Sequence, residues 1–398
     1  MKILFVCEGF NRYSINAQPW KHVFEVAKRM QTKDDEVRVL TDADGHFPKN
    51  EVIDGVQVKR IKKGKLLFDV HELNKSLNGD FDIINWNASG ALSALHFLRI
   101  KKLEKNLVWT LHSGIIELAD IRNLKLTDVL SLGGFWNNIL YSMKSDVFVK
   151  KAASLSNLKI IVTLSKRLKD YLLSLGVEEE RIRVIYSGVD IEIFTPKDQS
   201  YIEKVRENMG YHQDESIILY YGPLSSFRGV DELVSAMPAV LSRFPDSRFI
   251  FLARTSKGDP KSNTLKKRII AHKRATLVEG VQSRESLVQF LNIADVVVLP
   301  FRFWPYVECP LTVLETMALG KPLVTTFMGA IPEIVQDSVN GLLVNPRPKE
   351  IGLAITKLLR NKKLAFKLGK NARSYIEKFH SWDYVARQTA RVFQECLA

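Results

Sequence analysis

The sequence has few cysteines, no long apolar run and no low-complexity segment, and each absence excludes a class of protein. Its three cysteines, Cys7, Cys309 and Cys396, have no paired spacing, which excludes a disulfide framework or a zinc site and indicates a reducing compartment. The longest apolar runs, such as residues 295–301, fall far short of the roughly 20 residues of a membrane span. Residues 1–10 show no cleavage pattern, so we interpret them as a strand rather than a signal peptide. We therefore expect a cytoplasmic protein without a spanning segment.

Acidic side chains are fewer than basic ones in this sequence. The chain has 58 basic and 44 acidic residues and a net charge of +14, so its surface should attract phosphate groups, nucleic acid or anionic lipid. The densest basic stretches are residues 257–274 and the group Arg60, Lys62, Lys63 and Lys65. Most such runs are solvated faces, and no nucleic-acid motif accompanies them. We predict no nucleic-acid partner, and we expect the charge to bring the protein to anionic membrane surfaces as a peripheral protein.

The pattern of apolar runs predicts an α/β protein with two domains. A chain of 398 residues is too long for one compact core. Strand-like runs that alternate with helical patterns predict βαβ units and parallel sheets. The runs are residues 2–6, 37–40, 82–85, 107–111, 159–164 and 183–186 in the first half, and 217–221, 248–252, 275–278, 295–300 and 322–326 in the second. The sequence therefore predicts two Rossmann-like, doubly wound parallel sheets.

The same pattern predicts the domain boundaries. We assign residues 1–195 to a first domain, 196–215 to a polar linker region and 216–380 to a second domain. Residues 381–398 have apolar side chains at helical spacing and predict one amphipathic helix. Because ligands of open parallel sheets bind beyond the carboxyl ends of the strands, the cleft between the two sheets is the predicted site.

Several segments, taken in order, carry a family resemblance. They are MKILFV, DIINWN, VTLSKRLKDYLLSLGV, RIRVIYSGVDIEIFTP, YYGPLSSFRGVDELVSA, FWPYVECPLTVLETMALG with the following KPLVTT, GAIPEIV and NGLLV, and FHSWDYVARQ. Together they resemble the family 4 retaining glycosyltransferases of group 1 type. The resemblance implies the GT-B fold, in which two Rossmann-like domains face a cleft, and a terminal helix that crosses back to the first domain. It also implies transfer of a sugar from a nucleotide-sugar donor to a glycan, lipid-linked or other hydroxyl acceptor.

A phosphate site can be predicted from the residues themselves. A helix should open after Pro310, so the exposed N–H groups of Leu311, Thr312 and Val313 can hold a diphosphate without a metal. Arg228, in a turn before a second helix, adds a planar donor suited to phosphate oxygens. We expect no metal and no cofactor beyond the donor substrate. Glu315 should lie in the first turn of the helix, where it either binds ribose hydroxyls or merely caps the helix.

The resemblance assigns roles to these residues. Arg228 stands where the family usually has a lysine that stabilises the departing nucleotide, and Glu315 matches the family's second glutamate, which binds ribose. Gly222 belongs to the phosphate-loop region, and His112 matches a histidine beside the donor sugar. Glu308 is one position away from the family's first glutamate, and we predict that it contacts hydroxyls of the donor sugar. In this family the leaving phosphate takes the proton of the acceptor, so no protein carboxylate need act as base.

The sequence departs from the family pattern at four places. Ala17 and Gln18 replace a pair of glycines, and Pro223 replaces an arginine, for which Arg12, Arg254 or Arg302 could substitute. Asn85 to Asn87 stand where histidines are usual, which could change the acceptor or sugar recognised. Asp42 to Asp44 match the D-x-D metal motif of a different fold, but we interpret them as a polar surface turn after the second strand.

Three hypotheses from different classes remain open at this point. The first is a retaining glycosyltransferase. The second is a hydrolase or epimerase of a nucleotide sugar with the same fold, and the third is a catalytically weakened protein that only binds. Turnover of donor without acceptor would favour the second hypothesis, and binding without turnover would favour the third.

Overall fold

The first half of the chain forms one mixed sheet. The computed structural model describes residues 1–32, 35–43, 45–63, 68–88, 103, 105–112, 146–254, 260–280, 283–303, 308 and 310–398. The strands are β1 (Lys2–Val6), β2 (Glu36–Ala43), β3 (Asn50–Ile53), β4 (Val56–Lys62), β5 (Ile83–Ala88), β6 (Asn106–Leu111), β7 (Leu158–Thr163) and β8 (Ile182–Val184). Their order is β3-β4-β2-β1-β5-β6-β7-β8, and β3 is antiparallel to β4 whereas the other pairs are parallel.

Four helices of the described chain belong to this half. They are α1 (Trp20–Met30), α2 (Val70–Leu77), α3 (Asp146–Ala153) and α4 (Lys166–Ser174). Helix α1 buries Val23, Val26, Ala27 and Met30, which recur at helical spacing and pack on the sheet. Helix α4 begins after Ser165, whose hydroxyl accepts a hydrogen bond from the N–H of Leu168. This cap fixes the start of α4 at the carboxyl end of β7.

The second half forms a parallel sheet. Its strands are β9 (Ser216–Pro223), β10 (Ser247–Arg254), β11 (Ala275–Glu279), β12 (Val296–Leu299), β13 (Leu323–Thr326) and β14 (Leu342–Val344), in the order β11-β10-β9-β12-β13-β14. All four residues of β12 are buried, as expected for a parallel strand covered by helices on both faces. The helices are α5 (Gln199–Asn208), α6 (Val230–Leu241), α7 (Pro260–Ile270), α8 (Arg284–Ile293), α9 (Leu311–Ala318), α10 (Ile331–Ile334), α11 (Pro348–Arg360), α12 (Lys362–Phe379) and α13 (Trp382–Leu397).

Two segments between and after the sheets have clear packing partners. Helix α13 packs against α1, β6 and β7, and it buries Trp382, Val385 and Phe393 in the apolar core of the first sheet. The polar segment 196–215 contains α5, which packs on α8 of the second half. Arg206 of α5 anchors it there, because its guanidinium donates to the carbonyl of Ile293 and to Asp295.

The prediction of two doubly wound sheets is confirmed, and each predicted run coincides with a strand to within a few residues. The runs did not predict β3, β4 and β14: β3 buries only Ile53, β4 largely alternates buried and exposed residues, and β14 has only three residues. The interpretation of Asp42 and Ala43 as a turn is wrong, because β2 pairs with β4 as far as Ala43. Asp44 lies outside the described residues.

Candidate functional site

The carboxyl ends of the two sheets face one another across a cleft. Ser165, after β7, donates to the carboxylate of Glu308 at 2.8 Å, and Tyr186, after β8, donates to Glu333 at 2.9 Å. The N–H of Lys166 donates to Glu333 at 2.7 Å. At another point Arg284 of α8 donates to the side chain of Asn16 at 2.6 Å. These hydrogen bonds join the two halves around the predicted site.

In each sheet the order in which successive strands are added reverses at one strand. In the second sheet β9 lies between β10 and β12, and in the first sheet β1 lies between β2 and β5. At such a switch point the connections leave to opposite sides, and a crevice opens beyond the strand ends. Arg228 and Glu308 follow β9 and β12, whereas His112 follows β6 of the first sheet. The fold therefore places the predicted residues on both walls of one cleft.

Helix α9 begins with exposed hydrogen-bonding capacity. Pro310 is its N-cap, which gives a fixed start without a side-chain cap. The Thr312 hydroxyl oxygen is shielded from solvent and makes no hydrogen bond within the described part of the chain. The N–H of Val313 already donates to the carbonyl of Pro310 at 3.0 Å, so the amides of Leu311 and Thr312 are the ones at the open end of the helix, where an anion can bind.

Glu315 is held beside this helix end by a buried tyrosine. The expectation that Glu315 lies in the first turn is wrong: it is one turn further along, because α9 begins at Leu311. The Tyr221 hydroxyl, at the end of β9, donates to the Thr312 carbonyl at 2.5 Å and lies 3.3 Å from Oε2 of Glu315. Burial and the Glu315 carboxylate raise the pKa of Tyr221, so the phenol stays protonated and positions that carboxylate.

Arg228 lies in the loop after β9, on the same side of the cleft as α9. It ends a 3-10 turn, is only 6% exposed, and its guanidinium carbon lies 5.0 Å from the ring centroid of Phe301. Gly222 has φ +139°, and a Cβ there would lie 3.4 Å from Nη1 of Arg228. Gly229 has φ +71°, and a Cβ there would lie 1.7 Å from the carbonyl oxygen of Pro300. Both glycines are required to bring the β9 loop, with its arginine, against the β12 loop.

The first-domain wall carries a buried polar chain. Asn85 donates to Thr110 at 2.9 Å, and Asn87 donates to Asn85 at 2.6 Å. Because the Asn87 amide nitrogen is used in this way, its oxygen accepts from Nε2 of His112 at 2.8 Å. Nδ1 of His112 is therefore the unprotonated nitrogen, and it is buried without a hydrogen bond among the described residues. It can accept a hydrogen bond from a sugar hydroxyl.

A second histidine accompanies His112. The His22 ring lies 5.0 Å from that of His112, edge to face, and burial lowers the pKa of His22 to about 4. Burial also lowers the pKa of His112 well below its usual value. Both rings are therefore neutral at pH 7.

This neutrality predicts an acid-sensitive fold. Between pH 6.5 and about 4 the unfolded chain binds protons that His22 does not bind when folded, so the free energy of unfolding falls as the pH falls through that window. Each such histidine contributes a slope of about 1.4 kcal/mol per pH unit. Urea denaturation between pH 7 and 5 should show a shallower pH dependence for His22→Gln than for the wild type. An identical slope in both proteins would contradict this assignment.

Glu308 is 2% exposed and lies at the meeting point of the two halves. Besides its bond with Ser165, its carbonyl accepts from the N–H of Ala330 at 3.1 Å. Its carboxylate thus reaches from the second half to the start of α4 in the first.

The structure also places the predicted substitutes for the missing arginine. Arg12 is exposed and pairs with Glu51, and Arg302 is buried and lies 3.4 Å from Glu232. The side chain of Arg254 lies outside the described part of the chain.

The sequence did not predict a role for Lys21. This lysine is 4% exposed and close enough to Arg284 and Glu315 for each of their charges to influence its pKa. Burial, followed by the Arg284 charge, lowers the pKa of Lys21.

Neither a cluster of metal-binding side chains nor a membrane-spanning helix occurs among the described residues. No group of three or more His, Cys, Asp or Glu side chains there is arranged to hold a metal ion. Within those same residues, no helix is long and apolar enough to cross a membrane. Peripheral binding to anionic membranes stays a prediction.

Comparison with known proteins decides the family. Residues 202–375 match the family described as "Glycosyl transferases group 1", and residues 20–193 match "Glycosyltransferase Family 4". The chain belongs to the family 4, group 1 glycosyltransferases. The two family regions together contain α1, β9 and α9, and His112, Arg228, Glu308 and Glu315 all lie within them.

Individual members of the family resemble the chain at moderate identity. An uncharacterised glycosyltransferase of Methanocaldococcus jannaschii is 26% identical over 70% of this chain and 70% of that protein. The D-inositol 3-phosphate glycosyltransferase of Corynebacterium aurimucosum is 24% identical over 60% of this chain and 57% of that protein. The crystal structure of Anabaena HepE in complex with UDP has a TM-score of 0.77 at 18% identity, with 99% of this chain and 100% of that chain covered. This likeness confirms the GT-B fold.

Proposed function

We propose that the protein is a retaining glycosyltransferase that binds the diphosphate of a nucleotide sugar at the start of α9. The observation that supports this most directly is the convergence of Arg228, the Leu311 and Thr312 amides, the unpartnered Thr312 hydroxyl and Glu315 on one side of the cleft. A helix N-terminus and a buried arginine suit a diphosphate, and a carboxylate beside them suits ribose hydroxyls. HepE, which shares the fold, was solved with UDP, so UDP-sugars are the first donors to test.

The chemistry follows from where charge develops. As the bond between the sugar and the diphosphate breaks, negative charge grows on the phosphate beside Arg228 and the α9 amides, which stabilise it without reorganising. The leaving phosphate takes the proton of the acceptor hydroxyl on the same face of the sugar, so the anomeric configuration is retained. His112 accepts from the donor sugar and orients it, and Glu308 contacts its hydroxyls.

Lys21 is the cation from the first domain that completes the donor site. Lys21 is buried, pairs with Glu25 at 3.7 Å and is influenced by the charges of Arg284 and Glu315, so it supplies a cation to the first-domain wall in place of the arginine that Pro223 replaces. Lys21→Met should weaken UDP binding about 10-fold, as expected for loss of one charged contact. Isothermal titration at two salt concentrations measures this. Lys28→Met, on the exposed face of the same helix, is the matched control and should bind like the wild type.

Two possible roles of Glu308, contact with the donor sugar and joining of the two halves through Ser165, can be measured separately. If it contacts the donor sugar, Glu308→Ala should lower the transfer rate about 10- to 100-fold, while the affinity for the bare nucleoside diphosphate is unchanged. Ser165→Ala removes the hydroxyl that Glu308 accepts from and leaves the carboxylate in place. Equal losses in both variants would show that Glu308 only joins the two halves.

A donor panel tests the proposal against its alternatives. UDP-, GDP- and ADP-sugars are compared by thermal unfolding, since a ligand at 100 times its Kd adds about 2.7 kcal/mol of stability. We expect one nucleotide class to stabilise the protein, and its sugar to be transferred with retention when acceptor is added. Donor consumption that needs no acceptor would favour the hydrolase or epimerase. Binding without any turnover would favour the binding-only protein.

A further inference from the structure

The loop after β12 carries a buried arginine of its own. Arg302 is 3% exposed and directly follows Phe301, whose ring lies against the guanidinium of Arg228. Nη1 of Arg302 donates to the carbonyl of Ser226 at 3.3 Å, and its Nε lies 3.4 Å from Oε1 of Glu232. Ser226 belongs to the loop after β9, and Glu232 belongs to α6, the helix that follows this loop. The side chain of Arg302 therefore connects the β12 loop to the β9 loop and to α6.

The backbone of the β12 loop is tied to the turn that carries Arg228. Phe227 directly precedes Arg228 in this 3-10 turn. The carbonyl of Phe227 accepts from the N–H of Arg302 at 2.9 Å and from the N–H of Phe303 at 3.0 Å. The two loops are thus joined by main-chain hydrogen bonds as well as by the Arg302 side chain.

The Ser226 carbonyl is the point at which the Arg302 side chain acts on the turn. This carbonyl also accepts from the N–H of Gly229 at 3.0 Å, the hydrogen bond that closes the turn around Arg228. A charged donor on the same carbonyl stabilises the orientation that the turn requires. Because Arg228 has a long side chain, a small rotation of the turn would displace its guanidinium from the phosphate.

Glu232 makes the burial of this arginine possible. A buried guanidinium needs an opposite charge and hydrogen-bond acceptors, which the Glu232 carboxylate and the Ser226 carbonyl supply. The side chains of Arg302 and Glu232 are each 4% exposed. Since the charge of Arg302 is paired and its Nη1 is engaged, these contacts favour a supporting role over direct contact with phosphate.

We propose that Arg302 is a positioning residue, which fixes the turn between β9 and α6 so that the Arg228 guanidinium is in place before the diphosphate departs. A cation stabilises developing charge best when it does not have to rearrange during the reaction. The role needs the fork of a guanidinium, which reaches Ser226 and Glu232 together, whereas a lysine has a single nitrogen. The inference rests on the proposed function, since it takes Arg228 to stabilise the leaving diphosphate.

Hydrogen exchange tests the support of the turn without any substrate. Arg302→Met removes the guanidinium and keeps the backbone donors of the β12 loop. We expect amides in the peptide of residues 225–233 to exchange at least about 10-fold faster in this variant, because the turn opens more often. Arg206→Met is the matched control. Arg206 is 7% exposed, donates to the Ile293 carbonyl and pairs with Asp295 at the opposite end of β12, so its loss should leave exchange in that peptide unchanged.

A double-mutant cycle tests whether Arg302 acts through Arg228. With the donor that the nucleotide-sugar panel selects, Arg302→Met should lower kcat about 10- to 100-fold and change KM much less. Arg302→Lys should recover part of that loss. In the Arg228→Ala background, Arg302→Met should lower kcat by no more than about twofold, because the group that it positions is absent. Arg206→Met should have the same small effect in both backgrounds.

The outcomes separate this inference from the proposed function. If Arg228→Ala alone leaves kcat unaltered, the proposed function is contradicted. If Arg228→Ala lowers kcat but Arg302→Met lowers it by the same factor in both backgrounds, Arg302 acts independently, as a direct phosphate contact would, and the inference is overturned. Unchanged exchange in residues 225–233 also overturns it. Should Arg302→Met fail to fold, Arg302→Lys takes its place in both measurements, and wild-type exchange and kcat in that variant would overturn the inference.

Discussion

Arg228→Ala is expected to lower kcat about 100- to 1,000-fold, as does the loss of one preorganised donor in other enzymes that stabilise developing negative charge. Arg228 is fixed between Gly222 and the Phe301 ring, so its charge needs no rearrangement when the diphosphate departs. Because that charge grows only as the bond breaks, the affinity for intact donor should change much less than kcat. Steady-state kinetics and UDP titration together measure the split.

Two companion variants distinguish this role from a structural one. Arg228→Lys keeps the charge and should recover part of kcat, since the family usually has a lysine there. Arg268→Ala removes an arginine of the same domain that pairs with Asp231 at 2.7 Å, and should leave kcat unchanged. Charge stabilisation is not the role of Arg228 if the Arg228→Ala variant loses donor binding and turnover equally. The same holds if the variant is already unfolded at the assay temperature.

Glu315→Ala is expected to weaken donor binding about 10- to 100-fold, the range for loss of hydrogen bonds to a charged group. The Tyr221 hydroxyl lies against one carboxylate oxygen and keeps the carboxylate in place. Since ribose does not change during the reaction, KM should rise while kcat changes little.

The tyrosine supplies the control. Tyr221→Phe leaves the ring in the core but frees Glu315, so it should give a smaller loss of affinity than Glu315→Ala. A comparison of nucleotides with ribose and 2′-deoxyribose is more direct. The wild type should prefer ribose, and Glu315→Ala should lose that preference; a preference that survives the substitution would contradict the ribose contact.

The sequence predicted the framework because local pattern determines it. Continuous apolar runs such as residues 296–299 can be stable as buried parallel strands, and Pro310 followed by apolar residues is a strong signal for a helix start. The motif order then located Arg228 and Glu315. Strands β3 and β4 were missed because polar, exposed residues interrupt their apolar ones, as in many loops; β3 is the edge strand of the sheet and β4 lies next to it.

What the sequence could not predict depends on contacts between distant segments. Lys21 looks like one more lysine on an amphipathic helix, and only the approach of Arg284 and Glu315 from the second half places it beside the proposed donor site. The proton position on His112 follows from the chain of amides through Asn87 and Asn85. Trp20 and Trp86 are far apart in sequence, and only the fold brings them together around one small cavity beside Glu8.

A crystal structure with bound UDP tests the central claim most directly. We predict that the diphosphate lies within hydrogen-bonding distance of the Arg228 guanidinium and the Leu311 and Thr312 amides, with the Thr312 hydroxyl also engaged and the ribose hydroxyls on Glu315. A nucleotide bound elsewhere in the cleft, with Arg228 and Thr312 making no contact to phosphate, would contradict the account.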